Sequence, residues 1–305
     1  MSQNSPKRKS SGPAAQRARA AGWKDPLQPQ QPLVSGKWLF SALGIAIGAA
    51  AVCAYVAFCL LFYQGSWQLI FHPSRTITAT PASVGIGFDD VRFDYTETGK
   101  PQLAGWWVPA DANARYAGST ILLLRDGRGS LSDSIPQIQA LHALGINVFA
   151  FDYRGFGRSA DAHPSEKLMN QDADTAWSYL TDTHHIPGRS IVLYGIGLGS
   201  PVAVTAAVRH SETAAIVLEN VSPNALTLFA ADSRTKLLPV RLLASDRFDP
   251  VETLGHLRTP KLFLERGAGS PTEDLFHRSE FPKRLVQFAA SDKTRYLEAL
   301  QAFLD

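Results

Sequence analysis

Cysteine is nearly absent from this chain: two among 305 residues, Cys53 and Cys59, both inside one uninterrupted apolar stretch. The rest of the chain therefore has neither a disulfide framework nor a cysteine-ligated metal site available to it. Excess charge is equally sparse. Lysine and arginine number 30 against 27 aspartate and glutamate, a formal net charge of +3. The first 37 residues carry that excess, with Lys7, Arg8, Lys9, Arg17, Arg19, Lys24 and Lys37 opposed only by Asp25. The remainder is mildly acidic and its cations are scattered. A nucleic-acid-binding body would concentrate them on the fold, so no nucleic-acid partner is expected. The eight histidines show no H-E-x-x-H or comparable spacing, and none follows His277. Neither a metal nor an organic cofactor is expected from this pattern.

What is present begins with a basic, Ser-, Pro- and Gln-rich tail over 1–37 that lacks sustained periodicity. Such a segment cannot bury enough apolar surface to offset the cost of ordering its backbone, so disorder is expected there. Trp38 to Phe62 then runs without a charge. A helix of that length spans ~37 Å, enough for a hydrocarbon core of roughly 30 Å with some tilt. Trp38 at one end and Tyr63 and Trp67 at the other are placed as interfacial anchors. The apolar run is too long for a signal peptide and no small-x-small cleavage site follows it before Gln64. The sequence thus divides into a basic tail 1–37, a transmembrane anchor 38–63 and a body 64–305. Basic residues ahead of the span predict a cytoplasmic N-terminus and a body on the extracytoplasmic side, which in a bacterium is the outer face of the inner membrane.

Within the body, Phe88–Tyr95 and Leu103–Val108 read as an antiparallel pair joined through Gly99-Lys100-Pro101, and Asp111–Ser119 reads as a loop. From Thr120 onward strands alternate with helices. The spacing predicts strands at Ile121–Leu124, Val148–Phe151, Ile191–Leu193, Ala215–Leu218, Lys261–Leu264 and Leu285–Phe288. Helices are predicted at Ile135–Leu144, Ser165–Leu180, after Gly199, in part of Leu226–Leu243 with a break at Pro239, and at Thr294–Leu304. Repeated β–α units of this kind make a mostly parallel sheet covered on both faces.

The stretch Ser190–Arg209, SIVLYGIGLGSPVAVTAAVR, organises the rest. A buried strand, a turn at Gly195, Gly197 and Gly199 and an Ala/Val-rich helix form the context of a G-x-S-x-G nucleophile elbow. The middle residue is Gly197, which offers no attacking atom and accepts the strained elbow conformation more easily than any other residue. Gly195-x-Gly197-x-x-Ser200, with Glu219 closing the next strand, also touches a dinucleotide fingerprint, but the third glycine is missing. On FDYRGFGRS at Phe151–Ser159 and GIGLG from Gly195, the chain resembles the α/β-hydrolase superfamily. Within it, the resemblance is to the membrane-anchored serine hydrolases of the α/β-hydrolase-domain-containing group. It covers roughly Gln64 to the C-terminus, and Gln64–Pro73 is similar to the "QxxLIFxP" linker of those enzymes.

The resemblance implies a nucleophile, an oxyanion loop, an acid and a histidine at set places. Gly197 stands at the nucleophile, and Ser200, three residues on, starts the helix in another direction. The oxyanion loop, HGNxGN-like in those enzymes, here reads Arg125-Asp126-Gly127-Arg128-Gly129-Ser130. Arg125, Asp126, Gly127 and Leu198 mark the region of an oxyanion hole or ligand pocket, with Asp126 available to pair with Arg125 or Arg128. The HGxxD-like acid loop falls on Glu265 to Ser270, with Ser270 at the acid position and Glu273 and Asp274 beyond it. The GxGH-like turn falls on Ala289 to Lys293, with Asp292 where the histidine belongs. A carboxylate with a reference pKa near 4 is a weak general base at neutral pH. The expectation is a degenerate α/β-hydrolase fold on a single-pass anchor, a pseudoenzyme with a binding or scaffolding role. Its partner would be a protein or a small acyl or ester-like ligand in the space over Gly197. The alternative is an active ester or amide hydrolase with a rearranged site using Ser200, Ser270 or Asp292.

Overall fold

The computed structural model describes residues 35–267, 271–289 and 291–305. The expected disorder of the basic tail therefore falls almost wholly outside the described residues, as does Ser270. Gly36–Gly65 forms one helix, α1, of 30 residues with a mean hydropathy of 2.5 in its most apolar window. Among the described residues it is the one helix long and apolar enough to cross a membrane. It begins before Trp38 and continues past Tyr63, with a glycine at each end. The chain divides into two compact units, Met1–Ala57 and Phe58–Asp305.

Eight strands make the sheet: β1 Asp89–Tyr95, β2 Pro101–Val108, β3 Tyr116–Leu124, β4 Ile146–Asp152, β5 Ile191–Ile196, β6 Ala215–Glu219, β7 Lys261–Arg266 and β8 Lys283–Phe288. Their spatial order is β8-β7-β6-β5-β3-β4-β2-β1. β2 runs antiparallel to β1 and β4, and every other neighbouring pair is parallel. The sheet is thus mostly parallel, with an antiparallel pair at the start as the Gly99 turn implies. β3 starts at Tyr116 where a loop is expected, because Ala117-Gly118-Ser119 disguises the strand and a register shift separates Tyr116 from Thr120.

The longer helices of the body are α2 Ile135–Ala143, α3 Glu166–Ser178, α4 Gly199–Arg209, α5 Ala225–Ala231, α6 Pro271–Arg278 and α7 Lys293–Leu304, with short turns of helix at Trp67–Ile70, Val240–Leu243 and Val251–Leu254. Successive strand residues point to opposite faces. Leu122, Leu124, Phe149, Phe151, Leu193 and Phe263 meet Met169, Ala173 and Trp177 of α3 and Val202 and Ala203 of α4. Ile121, Leu123, Val148, Val192 and Leu262 meet Ile138 and Leu141 of α2 and Tyr296 and Leu300 of α7. Each such side chain contributes roughly 1.5–3 kcal/mol on burial, enough to fix which helix lies on which face. Ser165 caps α3 by accepting from Leu168 N–H at 3.2 Å. The region from Leu226 to Leu243 is helical at Ala225–Ala231 and at Val240–Leu243, broken around Pro239 as its sequence implies.

Candidate functional site

At the end of β5 the chain turns within two residues into α4. Gly197 adopts φ +55°, the left-handed region that favours glycine. Its N–H donates to Glu219 O at 3.0 Å and its carbonyl accepts Ser200 N–H at 3.2 Å. A Cβ at Gly195 would lie 2.5 Å from Ser200 Cα, and one at Gly199 would lie 2.6 Å from Leu124 C and closer still to its oxygen. Strand and helix approach too closely for any side chain at those two positions. The geometry is that of a nucleophile elbow with glycine at its centre.

The loop after β3 meets this turn. Asp126 Oδ1 accepts the N–H of Gly127 at 2.8 Å and the N–H of Leu198 at 3.0 Å. A Cβ on Gly197 would stand 2.6 Å from Asp126 Cγ and closer to Oδ1. The Asp126 carboxylate therefore occupies the volume that a side chain at position 197 would need and accepts from two backbone N–H groups. Among the described residues Asp126 forms no ion pair with Arg125 or Arg128. Two converging N–H groups hold the Asp126 carboxylate in place, and Arg125 is engaged elsewhere.

Arg125, at the end of β3, turns inward instead. It is 3 % exposed, its Nη1 lies 3.3 Å from Asp152 Oδ1, and its Nη2 donates to the carbonyls of Ser130, at 2.8 Å, and Arg128. Burial lowers the Arg125 pKa, and burial pushes Asp152 up to about 6 even though Arg125 opposes the shift. Arg125 is thus an internal tie between β3, its own loop and β4, and not a surface contact. The linker after α1 reinforces the loop: His72 N–H donates to Gly127 O and Ser74 N–H to Gly129 O, each at 2.9 Å. Phe71 packs against Gly127, where a Cβ would lie 2.6 Å from Leu198 Cδ1 and 3.1 Å from Phe71 Cδ1. Beside it a cavity of about 340 Å³ is lined by Arg125, Asp126, Arg128, Gly129, Asp133, Ser134, Gln137 and Ile196.

The other expected positions do not converge on Gly197. Ser200 is fully buried and its Oγ donates to Gly195 O at 3.0 Å, so the hydroxyl is committed to the turn. Glu265 is buried in β7, with no partner for Oε2 among the described residues. Arg266 turns to Glu219, with Nη2 2.6 Å from Oε1. Glu219 in turn accepts from Tyr194 OH at 2.7 Å, and Tyr194 OH lies 2.8 Å from Tyr296 OH. Burial and the Glu219 charge raise the Tyr194 pKa, which keeps that hydroxyl a donor. Glu219 is therefore part of a buried polar chain joining β5, β6, β7 and α7. That chain leaves no free carboxylate for a ribose, and the sequence gives no sign of it. Asp292 caps α7 by accepting Arg295 N–H at 3.0 Å, and it lines a second cavity of about 320 Å³ with Arg266, Lys293 and Tyr296. Glu273 and Asp274 lie on α6, with Asp274 paired to Arg278 and His277 exposed 4.0 Å from Glu273. The His210–Asp174 pair, 3.2 Å apart, sits at the far end of α4, about 16 Å along a helix of this length from Gly197. No cluster of three or more His, Cys, Asp or Glu suited to a metal occurs among the described residues.

This strand order with a glycine elbow between β5 and α4 is the α/β-hydrolase fold, shared with solved structures of that fold. The family described as serine aminopeptidase, S33, matches residues 120–229. The uncharacterized protein Rv2307c of Mycobacterium tuberculosis is 30% identical over 254 residues, covering 83% of this chain and 85% of that protein. The alpha/beta hydrolase domain-containing protein WAV2 of Arabidopsis thaliana is 26% identical over 242 residues, covering 73% of this chain and 76% of its own length. Among solved structures, the esterase Pf2001 of Pyrococcus furiosus superposes with a TM-score of 0.59 at 19% identity, over 77% of this chain and 100% of that one.

Proposed function

We propose that this protein is a membrane-anchored α/β-hydrolase-fold protein without serine-hydrolase chemistry, which uses the scaffold for binding. One observation carries the proposal: the Asp126 carboxylate stands where a nucleophile would project and accepts from Leu198 N–H and Gly127 N–H. Acyl transfer needs those donors for the developing oxyanion, and a fixed negative charge already on them repels a second one. Loss of a single such donor costs roughly 10²–10³ in rate, so occupation of both removes a dominant part of the catalysis. The base is missing as well. Asp292 caps α7 and Ser200 is spent on Gly195 O, so two of the three groups of the rearranged-site alternative have other tasks. The third, Ser270, lies outside the described residues. In this reading the partner is a protein or a small ligand held by the scaffold and not a substrate that it cleaves. The anchor reading is supported by α1, and the excess of basic residues before it favours a cytoplasmic N-terminus.

The test is the full chain in native membranes treated with a serine-reactive fluorophosphonate and, separately, with short-chain p-nitrophenyl esters. The expected result is no labelling and no turnover above vesicles lacking the protein. Saturable labelling that disappears in Ser200→Ala would overturn the reading.

A further inference from the structure

We infer that the cavity between α2 and α7 binds a small aryl carboxylate, its ring on Phe288 and its carboxylate meeting Arg266 and Lys293. The cavity holds about 320 Å³, a volume typical of small-ligand sites. The sequence explains why it is there. Gln137, Ala140 and Ala143 follow one another at three-residue steps along α2, so they share one stripe of the helix. Two alanines in that stripe leave volume that longer side chains would fill. The floor is aromatic: Phe288 and Tyr296 are buried, with ring centroids 5.5 Å apart. Leu297 of α7, half-buried, adds an apolar wall. Gln137 also lines the cavity beside Asp126, so the two cavities adjoin, but Asp126, Gly197 and Leu198 take no part in this lining.

The charges at its rim choose the ligand. Arg266 extends from the end of β7 with its guanidinium carbon 5.9 Å from the centroid of the Phe288 ring. Its Nη2 lies 2.6 Å from Glu219 Oε1, and the described residues give the guanidinium no other hydrogen-bond or ion-pair partner. An arginine carries five N–H donors in a planar fork, so most of them are left for a ligand. Lys293, at the start of α7, is exposed and forms no ion pair among the described residues. The acid of the lining, Asp292, is committed to capping α7 through Arg295 N–H at 3.0 Å. Glu219, fully buried, also accepts from Tyr194 OH at 2.7 Å, so its charge is already answered. Two cations beside one committed acid suit a single negative charge, and the guanidinium fork matches a carboxylate in particular. An aromatic body completes the match, because a flat ring packs against both the Phe288 ring and a guanidinium plane.

The test is equilibrium dialysis of cinnamate against the full chain in nanodiscs of phosphatidylcholine, with empty discs as the blank. Saturable binding of one cinnamate per chain is expected. Cinnamamide, which keeps the ring and loses the charge, is expected to bind at least roughly tenfold more weakly. Lys293→Gln is expected to weaken cinnamate several-fold and to leave cinnamamide unchanged. Leu297→Trp and, from the α2 wall, Ala143→Trp fill the cavity, and each is expected to abolish binding at an unchanged urea midpoint. Equal affinity for acid and amide, full cinnamate affinity in Lys293→Gln, or binding that survives in both tryptophan variants overturns the inference. So does uptake no greater than that of empty discs. The readout is binding alone, so hydrolysis at the elbow, which would overturn the reading of the function, leaves this result where it stands.

Discussion

At the scale of single residues, Gly197 and Asp126 exclude each other's alternatives. A side chain at 197 needs the volume of the Asp126 carboxylate and must also adopt φ +55°, a conformation costing non-glycine residues of order 1–3 kcal/mol. Gly197→Ser is therefore expected to destabilise the body by ~2 kcal/mol without creating hydrolysis, since Asp126 already takes up the Gly127 and Leu198 N–H groups. Adding Asp126→Ala to that variant is expected to recover part of the loss, with a coupling of ~1 kcal/mol in a double-mutant cycle read from urea midpoints. Additivity of the two changes would show that the carboxylate does not fill the nucleophile's place. The missing nucleophile was legible in the string GIGLG, but the residue that replaced it in space was not. Asp126 and Leu198 are 72 positions apart, and the sequence does not tell which way an aspartate in a glycine-rich loop will turn. The only available hint was an acid at the loop position where the resembling enzymes carry glycine, opposite an elbow that had lost its side chain.

At the scale of elements, close approach and burial decide most of what the site allows. The crossing of β3 and α4 is closed by Gly199, where a Cβ meets the Leu124 carbonyl, a backbone group that cannot swing aside. Gly199→Ala is expected to cost ~3 kcal/mol or more, whereas Gly118→Ala in β3, which meets nothing within 4 Å, should change stability by under about 1 kcal/mol. Equal urea midpoints for the two would contradict the crossing. The tie between α3 and the loop after β4 has a pH signature. Arg154 donates to Asp172 through its backbone N–H at 2.8 Å and its Nε at 2.6 Å, yet burial pushes Asp172 up to about 6. Between an unfolded value near 3.9 and that value, the folded chain keeps a proton that the unfolded chain has released, so this component of stability is lost as pH rises. Urea unfolding between pH 4 and pH 6 should fall more steeply in wild type than in Asp172→Asn, by up to about 1.4 kcal/mol per pH unit. Parallel slopes would refute the assignment. The strands were readable because parallel strands buried on both faces appear as apolar runs. The chain Arg266–Glu219–Tyr194–Tyr296 was not readable, because polar residues at strand ends look like ordinary strand termini until β5, β6, β7 and α7 are set side by side.

For the whole molecule, charge and hydropathy change near Gln64, while the compact unit that holds the body begins at Phe58, within α1. Phe62 supplies the surface that covers Phe229, and Phe71 covers Phe248 with ring centroids 5.8 Å apart while also touching the oxyanion loop at Gly127. The body's fold therefore uses the end of the same helix that is proposed to hold it to the membrane, so lipid insertion and body stability share one element. A chain starting at Gln64 leaves Phe229 uncovered, whereas a chain starting at Phe58 retains its partner. Removing an aromatic ring from such a contact costs roughly 3–5 kcal/mol, an upper bound here because Phe229 has other neighbours. The shorter chain is expected to unfold at a clearly lower urea concentration and to bind a hydrophobic dye such as ANS, and Phe62→Ala in the longer chain should reproduce most of that shift. If both chains unfold at the same midpoint, the last turns of α1 contribute nothing to the body. Anchor and hydrolase fold would then be separable modules joined at Gln64.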